Sequence, residues 1–337
     1  MRNTWRARAG LALRLGLALL IVAVIWRSLD AGLLRSHLEL IVLLQVPNGL
    51  GLWLAAWRLT VLSGGTVRIW DTTKASSLSG TLGYVLPGRA SELVKPFYML
   101  LRCGLPLSRG VAIVGVERFL DVLMVAVLTG AVLVFAGERG LAETALFWGA
   151  VAGLGIAFAA VVMRFPRPVL ALIQLLPFTP VRNSLTLLMG EVRRTLSPLR
   201  LQGAFVMSAL IWLCAYVLCH WTVMAIGSIP LTPHQTLFVF LSGAVGLALA
   251  IAPGGLGTFE AGIVLALRLY GYDTSEALLI SLIMRLANLG FVPFLAVWIM
   301  VRERLGLQEL MTRMRVAFED LKKERRDDQP EDRPGIT

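Results

Sequence analysis

Seven apolar runs dominate the chain, at residues 11–26, 38–62, 110–136, 145–163, 203–226, 234–251 and 276–301. A helix that crosses the ~30 Å hydrocarbon core of a bilayer needs about 20 apolar residues, and most of these runs meet or approach that length. Inside hydrocarbon the backbone has no water to bond, so such runs fold as helices that satisfy their own N–H and C=O groups. Composition agrees. Hydrophobic residues make up 57% of the 337 and charged residues only 16%, against roughly 45–50% and about 25% in ordinary soluble domains. Too few charges remain to cover a soluble surface of this size. The predicted fold class is all-α, a polytopic helical membrane protein.

The formal charge of +11 would suit a nucleic-acid partner if it were gathered on a soluble face. Instead the cations lie between the apolar runs: Arg2, Arg6, Arg8 and Arg14 at the start, Arg164 to Arg200 in the middle, Arg302 to Arg326 near the end. That placement follows the positive-inside rule for cytoplasmic loops and would also meet anionic lipid headgroups. With no aromatic-basic platform beside it, no nucleic-acid partner is expected. Three cysteines and three histidines lack metal-ligand spacing, so neither a metal nor another cofactor is expected.

The first run has the charge order of a signal peptide. Arg27, Asp30 and Arg35 follow it in place of a small-residue cleavage site, so it reads as an uncleaved helix. With the N-terminus inside, seven crossings would leave the basic tail outside. An eighth, most simply at 254–270, returns the tail to the cytoplasm, giving about eight crossings. Pro47 and Gly49 should kink the second run. Residues 166–201, interrupted by Pro177, Pro180 and Pro198 and mixing Arg with Leu pairs, read as a surface helix. The expected division is therefore a transmembrane domain over 1–301 and a cytoplasmic tail over 302–337, basic and then acidic, partly disordered.

Two regions break the apolar pattern, and they resemble each other. The first runs PGRASE from Pro87, then LRCG from Leu101, then Arg118 and Asp121 inside an apolar run. The second runs PGGLGTFE from Pro253, then LRLYG from Leu267, then Arg285 and Asn288. Corresponding features are offset by 166 to 168 residues, about half the chain. The repeat-like segments are 78–136 and 245–301. Transporters built from repeats bring broken helices together near the middle of the membrane. Pro and Gly interrupt the hydrogen-bond ladder, and irregular backbone survives there only inside protein or beside water. Pro87, Gly88, Pro253, Gly254, Gly255 and Gly257 are the expected breaks, as re-entrant or broken helices. The plainer alternative is two ordinary loop turns.

Charges inside the apolar helices should face protein or water, since each costs at least about 2.5–3.5 kcal/mol against lipid. Arg118 and Asp121 are three apart, which allows an ion pair, and Glu117 shares a face with Asp121. Either Arg118 compensates both carboxylates or one of them is protonated. Arg285 has no carboxylate near it in its own helix, so Glu260 or Glu92 is its expected partner. Buried ion pairs of this kind can simply fix helix register. In the functional alternative, Arg89, Glu92, Lys95, Glu117, Arg118, Asp121, Glu260, Arg285 and Asn288 line a polar route for a headgroup, arginine suiting phosphate through its planar fork.

The stretch PGRASELVKPFYMLLRCGLPLSRGVAIVGVERFLDVLMV together with PGGLGTFEAGIVLAL resembles the lysylphosphatidylglycerol synthase transmembrane-region family, over essentially 11–301. The motifs that carry it are P-G-R-x-x-E, E-R-x-x-D and P-G-G-x-G-x-x-E, at Pro87, Gly88, Arg89, Glu92, Glu117, Arg118, Asp121, Pro253, Gly254, Gly255, Gly257 and Glu260. The resemblance implies a bacterial inner-membrane location and a role in moving lipids between leaflets. It does not imply aminoacylation, because residues 302–337 are far too few for the soluble transferase domain of the full-length synthases, so no enzyme activity is expected. The leading expectation is a lipid translocase whose headgroup passes through a polar cavity between the repeats while the acyl chains stay in lipid. Its partners would be membrane lipids with anionic headgroups. GRASELVK lacks the phosphate-loop arrangement, so movement would be passive or coupled to an ion or proton rather than to ATP. Two other classes stay open: a membrane-embedded transferase acting on a lipid-linked substrate, and a scaffold for a separately encoded lipid-modifying enzyme.

Overall fold

The computed structural model describes residues 36–84, 86, 90–135, 186, 190–192, 197–249 and 252–303. The apolar runs at 11–26 and 145–163, most of the 166–201 stretch, and Pro87, Gly88 and Arg89 lie outside the described residues, as does the tail beyond 303. Among the described residues every regular element is helical. In order these are α1 (Leu38–Leu43), α2 (Gln45–Leu62), α3 (Ile69–Leu82), a 3-10 turn (Ala90–Leu93), α4 (Val94–Cys103) and α5 (Leu107–Phe135). There follow α6 (Pro198–Ile226), α7 (Pro233–Leu249), a second 3-10 turn (Pro253–Gly255), α8 (Thr258–Leu269), α9 (Thr274–Asn288) and α10 (Phe291–Glu303). Contacts gather residues 1–294 into one compact unit and 295–337 into another. In the second, Arg302 stacks over the Trp298 ring at 5.0 Å.

Three helical runs among the described residues, Leu38–Leu62, Pro198–Ile226 and Thr274–Glu303, are long and apolar enough to cross a membrane. Large apolar side chains stand on the surface, among them Leu199, Leu265, Leu269 and Val122, each about two-thirds exposed or more. Patches of this kind are rare on soluble monomers and suit lipid.

Several helix boundaries differ from the sequence reading, each for a local reason. The run at 38–62 is broken at Leu44, three residues ahead of Pro47. Pro47 has no N–H to offer the Leu43 carbonyl, and its ring crowds that oxygen. Pro198–Leu201 is not part of a surface helix; it forms the first turn of α6, with Ser197 accepting the Arg200 N–H at 3.3 Å and Pro198 following the cap. Proline suits that position, where its missing N–H would have been unpaired anyway. The polar stretch before residue 78 is also helical. In α3, Thr72 and Thr73 return their hydroxyls to the Ile69 carbonyl, at 2.9 and 2.7 Å, which lets these two polar side chains pack inside, while the Ser76 and Thr81 hydroxyls are buried without a partner.

Small residues set the closest contacts. A Cβ on Gly246 of α7 would lie 2.1 Å from the Thr258 carbonyl oxygen, and one on Gly262 of α8 would lie 2.3 Å from that of Ser242. Only glycine admits such backbone approach, as at helix pairs in membranes. Around this pair, α6, α7, α8 and α9 close an apolar core that includes Cys219, Val239, Ile263, Leu267, Ile280 and Met284. A second core joins α2, α4, α5 and the start of α6 through Leu59, Met99, Ile113 and Ala204.

Candidate functional site

Three helices of the second core, α2, α4 and α5, carry charges toward one another, and α6 adds a hydroxyl. Arg58, near the end of α2, is 2% exposed. Its Nη2 lies 2.7 Å from Glu117 Oε1, and its Nη1 lies 2.7 Å from Asp121 Oδ1. Nη1 also donates to Ser208 of α6 at 2.8 Å. Lys95, in the first turn of α4, donates to both carboxylate oxygens of Glu117, at 2.7 and 2.9 Å. Arg118 completes the group: its Nη1 is 3.2 Å from Asp121 Oδ2, its Nη2 is 3.4 Å from Glu117 Oε1, and its Nε is 2.9 Å from Glu92 Oε2. That last contact is an ion pair without a well-directed hydrogen bond, since the buried Nε has no acceptor in line.

Arg58, Lys95 and Arg118 thus face Glu92, Glu117 and Asp121, three charges of each sign. Removing ions from water costs several kcal/mol each unless partners and further hydrogen bonds compensate. Here the compensation is shared among four helices and the turn that carries Glu92. The expected alternatives were that Arg118 compensates both carboxylates or that one of them is protonated. Instead Arg58 pairs with Glu117 and Asp121, and Lys95 with Glu117, alongside Arg118. The group is graded in exposure. Glu117 is 1% exposed, whereas the Arg118 side chain is 38% and that of Glu92 24% exposed.

The exposed end opens into a polar cleft with two lobes. One, of about 470 Å³, is lined by Asn48 and Arg58 of α2, Ser76 and Ser79 of α3, the charged cluster, and Asn288 of α9. The other, of about 380 Å³, is lined by Tyr84, Val125, Ala244, Gly254 and Gly255. Gly83, Ser91, Glu92, Arg118, Asp121 and Trp212 belong to both walls.

The second Pro-Gly break forms the floor of the smaller lobe. Gly254 and Gly255 take φ of +64° and +62°, a conformation costly for side chains with a Cβ. The Gly254 N–H donates to the Gly83 carbonyl at 2.8 Å, so this break meets the chain just ahead of the first one. Arg285 holds it in place. It donates to the Gly254 and Gly255 carbonyls at 2.8 and 3.2 Å, pairs with Glu260 Oε1 at 2.7 Å, and lies 4.5 Å from the Phe259 ring centroid. The other oxygen of Glu260 accepts the Gly257 N–H at 2.8 Å. Of the two expected partners of Arg285, Glu260 is the one in contact; Glu92 is taken by Arg118.

Of the residues the sequence brought forward, Glu92, Lys95, Glu117, Arg118 and Asp121 are gathered in one cluster, and Asn288, Gly254 and Gly255 line the cleft. Glu260 and Arg285 form a separate pair on neither lobe's wall. Pro253 is buried in the 3-10 turn, and Gly257 caps α8. Pro87, Gly88 and Arg89 lie outside the described residues. The sequence reading missed Arg58. Its only signal was a lone cation inside the 38–62 apolar run.

Residues 11–296 match the family described as the lysylphosphatidylglycerol synthase TM region. No curated protein and no solved structure matches the chain.

Proposed function

The chain belongs to the lysylphosphatidylglycerol synthase transmembrane-region family, and on that premise we propose that it is a lipid translocase of the bacterial inner membrane. It moves a phospholipid or lipid-linked headgroup between leaflets through the polar cleft, with its N-terminus and C-terminal tail in the cytoplasm. In this reading the breaks near Pro87 and Pro253 are re-entrant, and the chain carries out no covalent chemistry itself. One observation supports the reading above the others: Arg118 and Glu92 stand on the shared wall of two lobes, inside a bundle whose outer faces are apolar. Facing a polar cavity lowers the desolvation cost of these charges, and it also leaves Arg118 open to a headgroup, because an arginine can offer a phosphate two donors in one plane.

Arg118 then receives the anionic group and Glu92 is the charge it exchanges. Asn48 and Asn288 extend the polar wall, while Glu260 and Arg285 hold the backbone floor in shape. The test is reconstitution into liposomes with fluorescently labelled phospholipids. Leaflet exchange faster than in protein-free vesicles, and slowed by Arg118→Ala, is the expected result. Exchange no faster than in empty vesicles overturns the reading, and a chemically modified lipid product points instead to a transferase.

A further inference from the structure

Resting on the translocase reading, we infer that a third cavity is a groove for one hydrocarbon chain of the lipid whose headgroup occupies the cleft, so that this chain travels in protein and not in the surrounding bilayer. The cavity, about 620 Å³, lies between α5, α6 and α7 and is walled by Met124, Leu128, Ala209, Leu213 and Leu237. That size falls in the roughly 300–1,000 Å³ range of small-molecule sites. The polar tips at its edge are already engaged. Tyr216 donates its hydroxyl to the Pro233 carbonyl at 2.9 Å, and His234 Nδ1 lies 3.0 Å from the Thr232 hydroxyl. What remains for an occupant is hydrocarbon and aromatic surface.

Continuity with the cleft identifies that occupant. Trp212 lines the groove and both cleft lobes, and it is held edge-on against Phe240 at 5.7 Å. The other two helices carry the same transition. On α5, Val125 faces the smaller lobe and Leu128, one turn on, faces the groove. On α7, Ala244 faces the lobe and Leu237, two turns earlier on the same side, faces the groove. A molecule that spans both spaces must be polar at one end and apolar along the other, which is the chemistry of a lipid. Burying a chain here gains little over bilayer hydrocarbon, since lipid tails are as apolar as leucine. The groove therefore contributes position rather than affinity, setting where the headgroup sits relative to Arg118.

The experiment uses the full chain in vesicles that contain a phosphatidylglycerol with a diazirine near the end of one acyl chain, read by mass spectrometry after illumination. Met124 and Leu237 should be labelled several-fold more than Leu265 and Leu269, which face outward at 67% and 75% exposure. Ala209→Trp, which fills the groove, should abolish that excess and slow leaflet exchange at least about tenfold, in line with the cost of misfitting an apolar pocket. Leu199→Trp, in the first turn of α6 at 77% exposure and ten residues ahead of the groove wall, should change neither. Even labelling across the four positions in the unmodified protein overturns the groove, whatever the exchange rate and whether or not the variants fold. Enriched labelling without exchange supports the groove and overturns the translocase reading.

Discussion

Two halves of the molecule run through the same series of elements and arrive at different chemistry. A 3-10 turn, α4, a glycine turn at Gly104 and α5 make up the first series; a 3-10 turn, α8, a glycine turn at Gly271 and α9 make up the second. Each places a glutamate at the start and pairs it with an arginine on the helix beyond the glycine turn, Glu92 with Arg118 at 2.9 Å and Glu260 with Arg285 at 2.7 Å. Three residues beyond each arginine stands Asp121 or Asn288. The divergence lies one turn beyond each glutamate and one residue before each arginine. The first half has Lys95 and Glu117 there, joined by Arg58. The second has Ile263 and Met284, both buried in an apolar core. So the Glu–Arg pair is the common scaffold, and the added charges set the first half apart as the candidate site. Arg285 spends its remaining donors on backbone carbonyls, while Arg118 keeps part of its surface toward the cleft.

The sharpest way to break this comparison is to give the first half the residues of the second. Lys95→Ile alone leaves Glu117 short of a partner, and Glu117→Met alone leaves three cations facing two carboxylates. Glu117→Met should destabilise by about 3–5 kcal/mol, the usual cost of orphaning a buried charge, because it takes away the carboxylate that Lys95 pairs with. Lys95→Ile should cost less, because Arg58 still holds Glu117 at 2.7 Å. The double variant keeps Arg58 with Asp121 and Arg118 with Glu92. It should be more stable than either single one, a coupling that a double-mutant cycle in thermal unfolding would measure. If the cluster serves a headgroup, the double variant folds and yet loses leaflet exchange. Native exchange rates in that variant would reduce Lys95 and Glu117 to register-setting residues.

The second half should be touched more gently. Arg285→Ala removes the ion pair and two carbonyl contacts, but Glu260 keeps the Gly257 N–H. We expect a loss of about 3 kcal/mol, at the lower end of the buried-pair range. Arg268→Ala, on the exposed side of α8, should fall within about 0.5 kcal/mol of the native protein. Unfolding measurements on both variants check the contrast, and equal tolerance would remove Arg285 from its holding role.

What could be read from the sequence follows how local each interaction is. Arg118 and Asp121, three apart on one helix, declare their pairing through spacing alone. The Glu260–Arg285 pair was reachable because Arg285 has no carboxylate within reach in its own helix, where Glu276 stands nine residues away, which forces a search elsewhere. Lys95 and Glu117 are separated by 22 residues and a left-handed glycine turn, and spacing carries no angle across such a turn. Arg58 was hidden by its surroundings, as one cation in a 25-residue run still leaves that run apolar enough to cross a membrane. Its role appears only when α5 and α6 are packed beside α2. The halves were aligned by their punctuation, Pro-Gly and LR-x(x)-G, and that signal survived because backbone conformation, not side-chain chemistry, maintains it.

The smallest expected effect tests that shared punctuation. Gly104 and Gly271 close α4 and α8 at φ of +66° and +88°. Neither is held by crowding: a Cβ at Gly104 meets nothing within 4 Å, and one at Gly271 meets Ile229 at 3.5 Å, an ordinary contact. Only the backbone term is left for an alanine to incur, about 1–2 kcal/mol for a left-handed residue with a Cβ. Gly104→Ala and Gly271→Ala should therefore lower stability by similar amounts, although one closes the charged half and the other the apolar half. Gly254→Ala is the control. It takes the same region of φ, but its Cβ would lie 2.4 Å from the Tyr84 ring, so overpacking adds roughly 1–3 kcal/mol. If Gly104→Ala and Gly271→Ala differ from each other as much as either differs from Gly254→Ala, the turns are not equivalent and the two halves share less than their order of elements implies.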